Sequence, residues 1–204
     1  MSKKPIIVFE GIEGSGKSHH ISVVSKYLKK KKISHIKIRE PGGNPNSEKI
    51  RNLILNNKSN FNKDTDLLLY MAARSENINI IKNSYNKKII LIDRFTDSTI
   101  AYQHFGMGVD LNLIKTLNNF LLKNIKVSFT FLNIVNQKNL QKRLKQRKLL
   151  NRYDKFNISF YSKVQKGFIR LSKKQKNKYQ LINSNLEIDK NEKLILDKID
   201  KLIK

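Results

Sequence analysis

Short apolar runs separated by longer polar or amphipathic segments dominate the chain, and five of these runs predict β-strands. The first, Pro5-Ile-Ile-Val-Phe9, is apolar at consecutive positions and is typical of a buried strand. The five predicted strands cover residues 5–9, 34–39, 88–93, 127–133 and 179–183.

Helical spacing of apolar residues fills most of the chain between these strands. Ile21, Val24 and Leu28 share one helical face. The predicted helices cover residues 17–31, 64–81, 97–103, 111–123, 137–146, 158–174 and 193–203, and residues 148–155 are predicted to be irregular. Strands that alternate with helices predict an α/β fold, a five-stranded parallel sheet flanked by helices on both faces. No repeat or Pro/Gly/Ser-rich linker divides residues 1–204, so we expect one domain.

Charge is the strongest compositional signal. The chain has 204 residues, with 42 Lys and Arg against 16 Asp and Glu, a formal net charge of +26. Such a basic chain is typical of nucleic-acid-binding proteins, but it also arises by compositional drift towards Lys, Asn and Ile. Lys is spread over the whole chain and far outnumbers Arg, which favours drift, so we do not expect nucleic acid as a partner.

Cysteine content and hydropathy narrow the class further. The chain has no Cys, which excludes disulfides, zinc–thiolate sites and Fe–S clusters. No stretch approaches the about 20 continuous apolar residues that span a bilayer, and the first ten residues do not resemble a signal peptide. We therefore expect a cytoplasmic protein without a membrane partner.

A phosphate-binding loop follows the first predicted strand. Its residues, Gly11, Ile12, Glu13, Gly14, Ser15, Gly16, Lys17 and Ser18, fit the pattern G-x-x-x-x-G-K-[ST] between a strand and a helix. Glycines allow backbone N–H groups to surround phosphate oxygens, and the following helix adds its N-terminal dipole. Lys17 would reach the β- and γ-phosphates of ATP, and Ser18 would bind Mg²⁺. The fold is thus of the P-loop NTPase type, with ATP as a ligand.

Asp93 and Arg94 end the third predicted strand, where the sheet of such a fold faces its ligand. Asp93 can hold Mg²⁺ through water, and Arg94 can neutralise phosphate oxygens. A GTPase is disfavoured, because no Asn-Lys-x-Asp sequence occurs and Asp93 is not followed by x-x-Gly.

Five segments together resemble the thymidylate kinase family, nucleoside-monophosphate kinases that convert dTMP to dTDP. In chain order they begin with the phosphate-binding loop and the Arg-Glu-Pro-Gly-Gly sequence at 39–43. The others are 67–74, the Asp-Arg-Phe-Thr-Asp-Ser-Thr-Ile-Ala-Tyr-Gln sequence at 93–103, and the basic stretch 143–154. The resemblance covers most of the chain and implies transfer of the γ-phosphoryl group of Mg·ATP to dTMP.

The resemblance also implies the acceptor-site roles. Arg39 and Arg94 would grip the acceptor phosphate, since planar guanidinium groups suit that task. Glu13 and Tyr102 would lie near the sugar, and Tyr70 would stack on thymine. Arg74 and Gln103 would recognise the base edge, with Thr99 beside them. Open alternatives place Arg74 with Glu76 on a solvated helix face and Tyr70 in the core.

The basic stretch resembles the lid of bacterial-type relatives, a mobile segment around residues 143–155. Some relatives carry the catalytic arginine in the phosphate-binding loop, where this chain has Gly14. The resemblance therefore assigns that cation to Arg147 or Arg152 of the lid, with Arg143 at the donor nucleotide. The family is homodimeric, and 64–81 and 111–123 are candidate dimer helices. Two alternatives stay open: another pyrimidine nucleoside-monophosphate kinase, and a basic nucleotide-binding protein without turnover.

Overall fold

Five parallel strands form one sheet within residues 4–146 and 151–203, the part of the chain that the computed structural model describes. They are β1 (Ile6–Glu10), β2 (His35–Arg39), β3 (Ile89–Asp93), β4 (Phe129–Ile134) and β5 (Tyr179–Asn183). The order across the sheet is β2-β3-β1-β4-β5, with every neighbouring pair parallel. The predicted parallel sheet is confirmed. The sequence predicts it well because apolar residues at consecutive positions are typical of strands that are buried on both faces.

Eight α-helices lie in the same described ranges. They are α1 (Lys17–Lys30), α2 (Pro45–Leu55), α3 (Lys63–Ser84), α4 (Thr96–Thr99), α5 (Leu111–Leu122), α6 (Gln137–Lys145), α7 (Ile158–Lys174) and α8 (Ile188–Ile203). A π-helical segment, Ile100–Gly106, continues α4, and two 3₁₀ turns cover Arg152–Lys155 and Lys176–Lys178. None of the described helices is both long and apolar enough to cross a membrane.

Three helix predictions need correction. Helix α2 occupies a segment for which the sequence pattern predicts no helix, and α8 begins five residues before the predicted start at 193. The helix predicted over 97–103 divides into α4 and the π-helical segment. Of the stretch predicted to be irregular, 148–150 lies outside the described residues, and 152–155 forms a 3₁₀ turn.

The core lies on both faces of the sheet. Along β1, Ile7 and Phe9 pack with α1 and α8, whereas Ile6 and Val8 pack on the opposite face with residues of α3. Alternation along one strand thus serves two cores. The carboxyl ends of β1, β2 and β3 consequently meet at one edge, where Asp93 pairs in register with Phe9 and Arg39.

Glu10, the last residue of β1, holds the start of α4. Its carboxylate accepts hydrogen bonds from the Phe95 N–H (2.8 Å), the Ser98 N–H (3.2 Å) and the Ser98 hydroxyl (2.5 Å). Burial, together with the nearby Asp97 carboxyl, raises the pKa of Glu10 to about 7. This carboxylate fixes the turn that carries Arg94.

We expect Glu10→Gln to flatten the pH dependence of stability. A carboxyl whose pKa rises on folding, here from 4.5 to about 7, favours the folded state below the unfolded pKa. The contribution disappears as the pH rises through the folded pKa, and a tenfold change in proton affinity corresponds to about 1.4 kcal/mol. Urea unfolding at pH 5 and pH 8 measures the effect. An equal loss of stability between these pH values in both proteins would contradict it.

Candidate functional site

A cavity of about 400 Å³ opens at the carboxyl ends of β1, β2 and β3. Helix α3 and the π-helical segment line it together with the phosphate-binding loop. Most of the residues that the sequence nominates line this cavity: Glu13, Gly14, Gly16, Lys17, Ser18, Arg39, Tyr70, Arg74, Asp93, Arg94, Thr99, Tyr102, Gln103 and Arg143. The position agrees with the rule that open α/β sheets bind ligands beyond their strand carboxyl ends.

The phosphate-binding loop depends on left-handed backbone at its glycines. Gly16 has φ 89° at the N-terminus of α1, and Gly11 has φ 137°. A Cβ on Gly11 would lie 2.4 Å from the Asn133 carbonyl oxygen, so a larger residue would displace the loop from β4. Ile12 and Ser15 are buried in the loop, where the Ser15 hydroxyl donates to the Ile12 carbonyl (2.7 Å). Neither Ile12 nor Ser15 lines the cavity.

Lys17 is the cation of this loop. Its Nζ donates to the Ile12 carbonyl (2.7 Å) and the Ser15 hydroxyl (3.3 Å), and the side chain lines the cavity. Burial and the positive charge of Arg94 lower the pKa of Lys17 to about 8. An anionic phosphate near Nζ would offset both effects.

Two oxygen ligands suitable for Mg²⁺ lie beside the loop. The Ser18 hydroxyl donates to Asp93 Oδ2 over 3.2 Å, so the two oxygens lie close enough to contact the same metal ion. Mg²⁺ prefers hard oxygen ligands and usually takes one or two from protein, with water and phosphate completing the octahedron. Within 4–146 and 151–203 no three His, Cys, Asp or Glu side chains gather into a metal site. Ser18 and Asp93 thus fit a metal that arrives with the nucleotide.

Arg94, Glu13 and Tyr102 form one hydrogen-bonded group in the middle of the cavity. The Arg94 guanidinium donates to Glu13 Oε1 and to the Gly11 carbonyl, both over 2.8 Å, and the Tyr102 hydroxyl donates to Glu13 Oε2. Burial favours the protonated Glu13 carboxyl, but Arg94 and then Lys17 outweigh it and lower the pKa of Glu13. Arg94 itself has φ 64°, a conformation that non-glycine residues rarely adopt.

Three arginines converge at the same end of the cavity. Arg39 donates to both carboxylate oxygens of Glu48, and Arg51 of α2 donates to the Pro41 carbonyl (2.8 Å). Both line the cavity with Arg94. Burial and the positive charge of Arg39 lower the pKa of Arg51. A group of arginines whose positive charges repel one another is typical of a site for a multiply charged anion.

Arg74 is buried, with 1% of its surface exposed. It donates to Glu40 (2.7 Å), Asn118 (2.6 Å) and Thr99 (3.0 Å). Glu76 instead accepts a hydrogen bond from Asn46 (3.0 Å). The alternative of an Arg74–Glu76 pair on a solvated face is therefore wrong.

Aromatic side chains form the far end of the cavity. The Tyr70 and Tyr153 rings meet edge to face, with centroids 6.1 Å apart, and both line the cavity. Tyr70 is half-buried, so it belongs to the cavity wall rather than to the fully buried core. Gln103 Nε2 donates to the Tyr153 hydroxyl over 3.5 Å. An apolar slot with few polar groups at its edge suits a planar base.

The predicted lid arginines have different surroundings. Arg143 donates to the carbonyls of Gly14 (2.8 Å) and Ser184 (2.7 Å), which joins α6 to the phosphate-binding loop. Arg152 does not line the cavity; its guanidinium donates to Asp66. Both Arg152 and Asp66 line a second, outer cavity of about 560 Å³. Arg147 lies outside the described residues.

Arg51 and Tyr153 are among the cavity side chains that sequence reasoning missed. Arg51 lies on α2, whose start is marked by a detectable signal: the Asn44 side chain accepts from the Ser47 N–H (2.9 Å), and Pro45 follows. Tyr153 lies inside the 3₁₀ turn, between its capping residues Asn151 and Asp154. No local pattern distinguishes its ring from an ordinary core tyrosine.

Comparison with known proteins gives one consistent result. Residues 9–195 match the family model for thymidylate kinase. The thymidylate kinase of Thermosipho africanus is 38% identical over 90% of this chain and 91% of its own length. That of Kosmotoga olearia is 32% identical over 90% of this chain and 89% of its own length.

A solved structure agrees with these relatives in sequence and in fold. The crystal structure of thymidylate kinase from Ehrlichia chaffeensis matches with a TM-score of 0.77 and 30% identity. The match covers 98% of this chain and 99% of that protein. The similarity therefore extends over nearly the whole of both chains.

Proposed function

Because this chain belongs to the thymidylate kinase family and is a dTMP kinase, we propose that its cavity aligns Mg·ATP and dTMP for direct in-line phosphoryl transfer. The observation that carries the proposal is the shared cavity, which the phosphate-binding loop and three arginines line together. The comparisons give no support to a different pyrimidine acceptor or to nucleotide binding without turnover.

The donor side binds ATP through the loop. Backbone N–H groups from Gly11 to Ser18 would surround the phosphates, and Lys17 would move from the Ile12 carbonyl to the β- and γ-oxygens. Ser18 and Asp93 would hold Mg²⁺, which neutralises charge on the bridging phosphates. Arg143, anchored at Gly14, would contact the donor nucleotide.

The acceptor side takes the dTMP phosphate between Arg39, Arg51 and Arg94, with Arg94 nearest the loop. The acceptor is already an oxyanion, so the reaction needs positioning and charge neutralisation rather than a strong base. Glu13 and Tyr102 would hold the sugar.

Base recognition falls to the aromatic end. Tyr70 would stack on thymine, Arg74 and Gln103 would meet its polar edge, and Thr99 would orient Arg74. Buried groups that need a hydrogen-bonding partner reject a base that lacks it more strongly than an apolar pocket rejects a missing methyl group.

We place all of this in one domain, 1–204, with a lid around 143–155. The cation that stabilises the transferred group is Arg147 or Arg152. Arg152 would first have to leave Asp66, which favours Arg147. Lid closure would exclude water from the transfer step.

The test is ADP release from ATP with dTMP, dUMP, UMP, CMP, AMP and GMP offered separately, with and without Mg²⁺. We expect Mg²⁺-dependent turnover that is strongest on dTMP and weaker on dUMP. Preference for a ribonucleotide would overturn the roles of Tyr70, Arg74 and Tyr102. Turnover on no acceptor, with ATP still bound, would overturn the proposed transfer.

A homodimer through α3 and α5 belongs to the same proposal. These adjacent helices expose Leu68 (57%), Leu113 (44%) and Phe120 (71%). We expect Phe120→Lys to halve the mass measured by sedimentation, because it places a charge in the apolar contact. Leu194→Lys on α8, also exposed (43%), is the matched control. A monomeric wild-type protein would contradict the dimer.

The cytoplasmic location and the absence of a nucleic-acid partner stay predictions.

A further inference from the structure

Asp66 is a buried carboxylate that the transfer reaction does not use. It lies in the first turn of α3 with 2% of its surface exposed. Its Oδ1 accepts from the Arg152 guanidinium, and its Oδ2 accepts from the Tyr153 hydroxyl over 2.8 Å. A carboxylate paired with a guanidinium has no proton to donate, so both contacts have a fixed direction.

The direction of the hydrogen bond at Asp66 fixes the orientation of the Tyr153 hydroxyl. A tyrosine has one hydroxyl proton, and here it points to Asp66. Burial, with Tyr70 and Asp66 nearby, raises the pKa of Tyr153, so the proton is retained. The hydroxyl oxygen can then only accept, and Gln103 Nε2 donates to it over 3.5 Å.

Gln103 is the last member of this chain of hydrogen bonds. Its amide nitrogen donates to Tyr153 over 3.5 Å, and its Oε1 is buried without a hydrogen-bond partner among the described residues. Gln103 and Arg74 both line the cavity, so the ligand meets an amide oxygen from one and N–H donors from the other. An amide oriented the other way would present two donors instead.

We propose that Asp66, acting through Tyr153, fixes the Gln103 amide with its oxygen towards the base and thereby selects a 4-oxo over a 4-amino pyrimidine. A 4-oxo pyrimidine offers an N3–H donor and an O4 acceptor, which complement Gln103 Oε1 and Arg74. A 4-amino pyrimidine offers an N3 acceptor and an N4 donor, which face both groups with the wrong polarity. Asp66 is thus a positioning residue, and the inference rests on the proposed roles of Gln103 and Arg74.

The test is Asp66→Asn with two acceptors that differ only at the 4-position edge, dTMP and 5-methyl-dCMP. An Asn amide can donate to the Tyr153 oxygen, which frees the hydroxyl to donate to Gln103 Oε1 and lets the amide turn. We expect the ratio of kcat/KM values, dTMP over 5-methyl-dCMP, to fall by at least about tenfold, since a site built around hydrogen bonds discriminates by as much as about 10⁴–10⁵. The dTMP effect should lie mainly in KM.

Two further variants separate positioning from folding. Tyr153→Phe keeps the ring but removes the relay, so it should lower the same ratio, and the double variant should lower it no further. Asp64→Asn, an exposed acid in the same turn of α3, should leave the ratio unchanged. The ratio does not depend on the fraction of folded enzyme, so loss of protein alone cannot produce the expected result.

Each outcome has one meaning. If Asp66→Asn lowers kcat/KM for both acceptors by the same factor, Asp66 only supports the fold and the inference is wrong. If the wild-type enzyme discriminates and the variant ratio is unchanged, the inference fails while the proposed function stands. A wild-type enzyme inert towards dTMP would instead overturn the proposed function.

Discussion

Replacement of Arg94 by Ala is expected to lower kcat/KM for dTMP by about 10³-fold or more, the scale of a cation that stabilises a transferring phosphoryl group. Arg94 donates to Glu13 and to the Gly11 carbonyl, so the change removes the proposed acceptor-phosphate ligand that lies against the phosphate-binding loop. ATP binding, measured by calorimetry without acceptor, should persist, because the proposed ATP contacts come from Lys17 and the loop backbone.

Arg170→Ala is the matched control, since this exposed arginine of α7 does not line the cavity. Its kcat/KM should equal that of the wild-type enzyme. Loss of ATP binding with unchanged acceptor binding in Arg94→Ala would place Arg94 on the donor side and contradict its assigned role.

Arg74→Met is expected to cause the largest loss of stability, about 3–5 kcal/mol in the free energy of unfolding. The change leaves the Glu40 carboxylate buried without the guanidinium that now donates to it over 2.7 Å. Urea denaturation measures the effect. Adding Glu40→Gln to the variant should recover part of the loss, because the amide carries no charge to bury.

Arg39→Ala provides the contrast, because its pair with Glu48 is exposed and such pairs contribute about 0–1 kcal/mol. The pH dependence gives a second check. Burial already raises the pKa of Glu40 against the opposing effect of Arg74. Without Arg74 the pKa should rise further, so Arg74→Met should lose stability as the pH rises above the ordinary carboxyl range. A variant as stable as Arg39→Ala at all pH values would show that the buried pair is not structural.

The elements predicted best from the sequence are those whose cause is local. Consecutive apolar residues such as Ile6 to Phe9 mark a strand buried on both faces, and the glycine spacing from Gly11 to Gly16 marks the loop. Helix α2 was missed because it buries only Ser47 and Ile54, too few positions to give an apolar periodicity. Its start is visible only in the cap formed by Asn44 and Pro45.

The residues of the candidate site likewise divide into those that a local motif marks and those that only long-range packing brings there. Residues inside recognisable motifs, such as Lys17, Asp93 and Arg94, lie in the cavity as the sequence predicts. Arg51 and Tyr153 enter it only through the packing of α2 against α3 and of the Arg152–Lys155 turn against α2, which distant contacts determine. The buried environment of Arg74 likewise depends on Glu40, Thr99 and Asn118, three residues from separate parts of the chain.

Asp66 connects the two cavities of this enzyme, because it lines the outer one with Arg152 and accepts a hydrogen bond from Tyr153, which lines the inner one. A small molecule that bound in the outer cavity and drew Arg152 away from Asp66 would alter the base pocket without entering it. Because the proposed role of Asp66 lies mainly in the KM for dTMP, raising dTMP would restore the rate, whereas raising ATP would not. Phe61, Met107 and Phe156 give that outer cavity the apolar surface that such a compound needs.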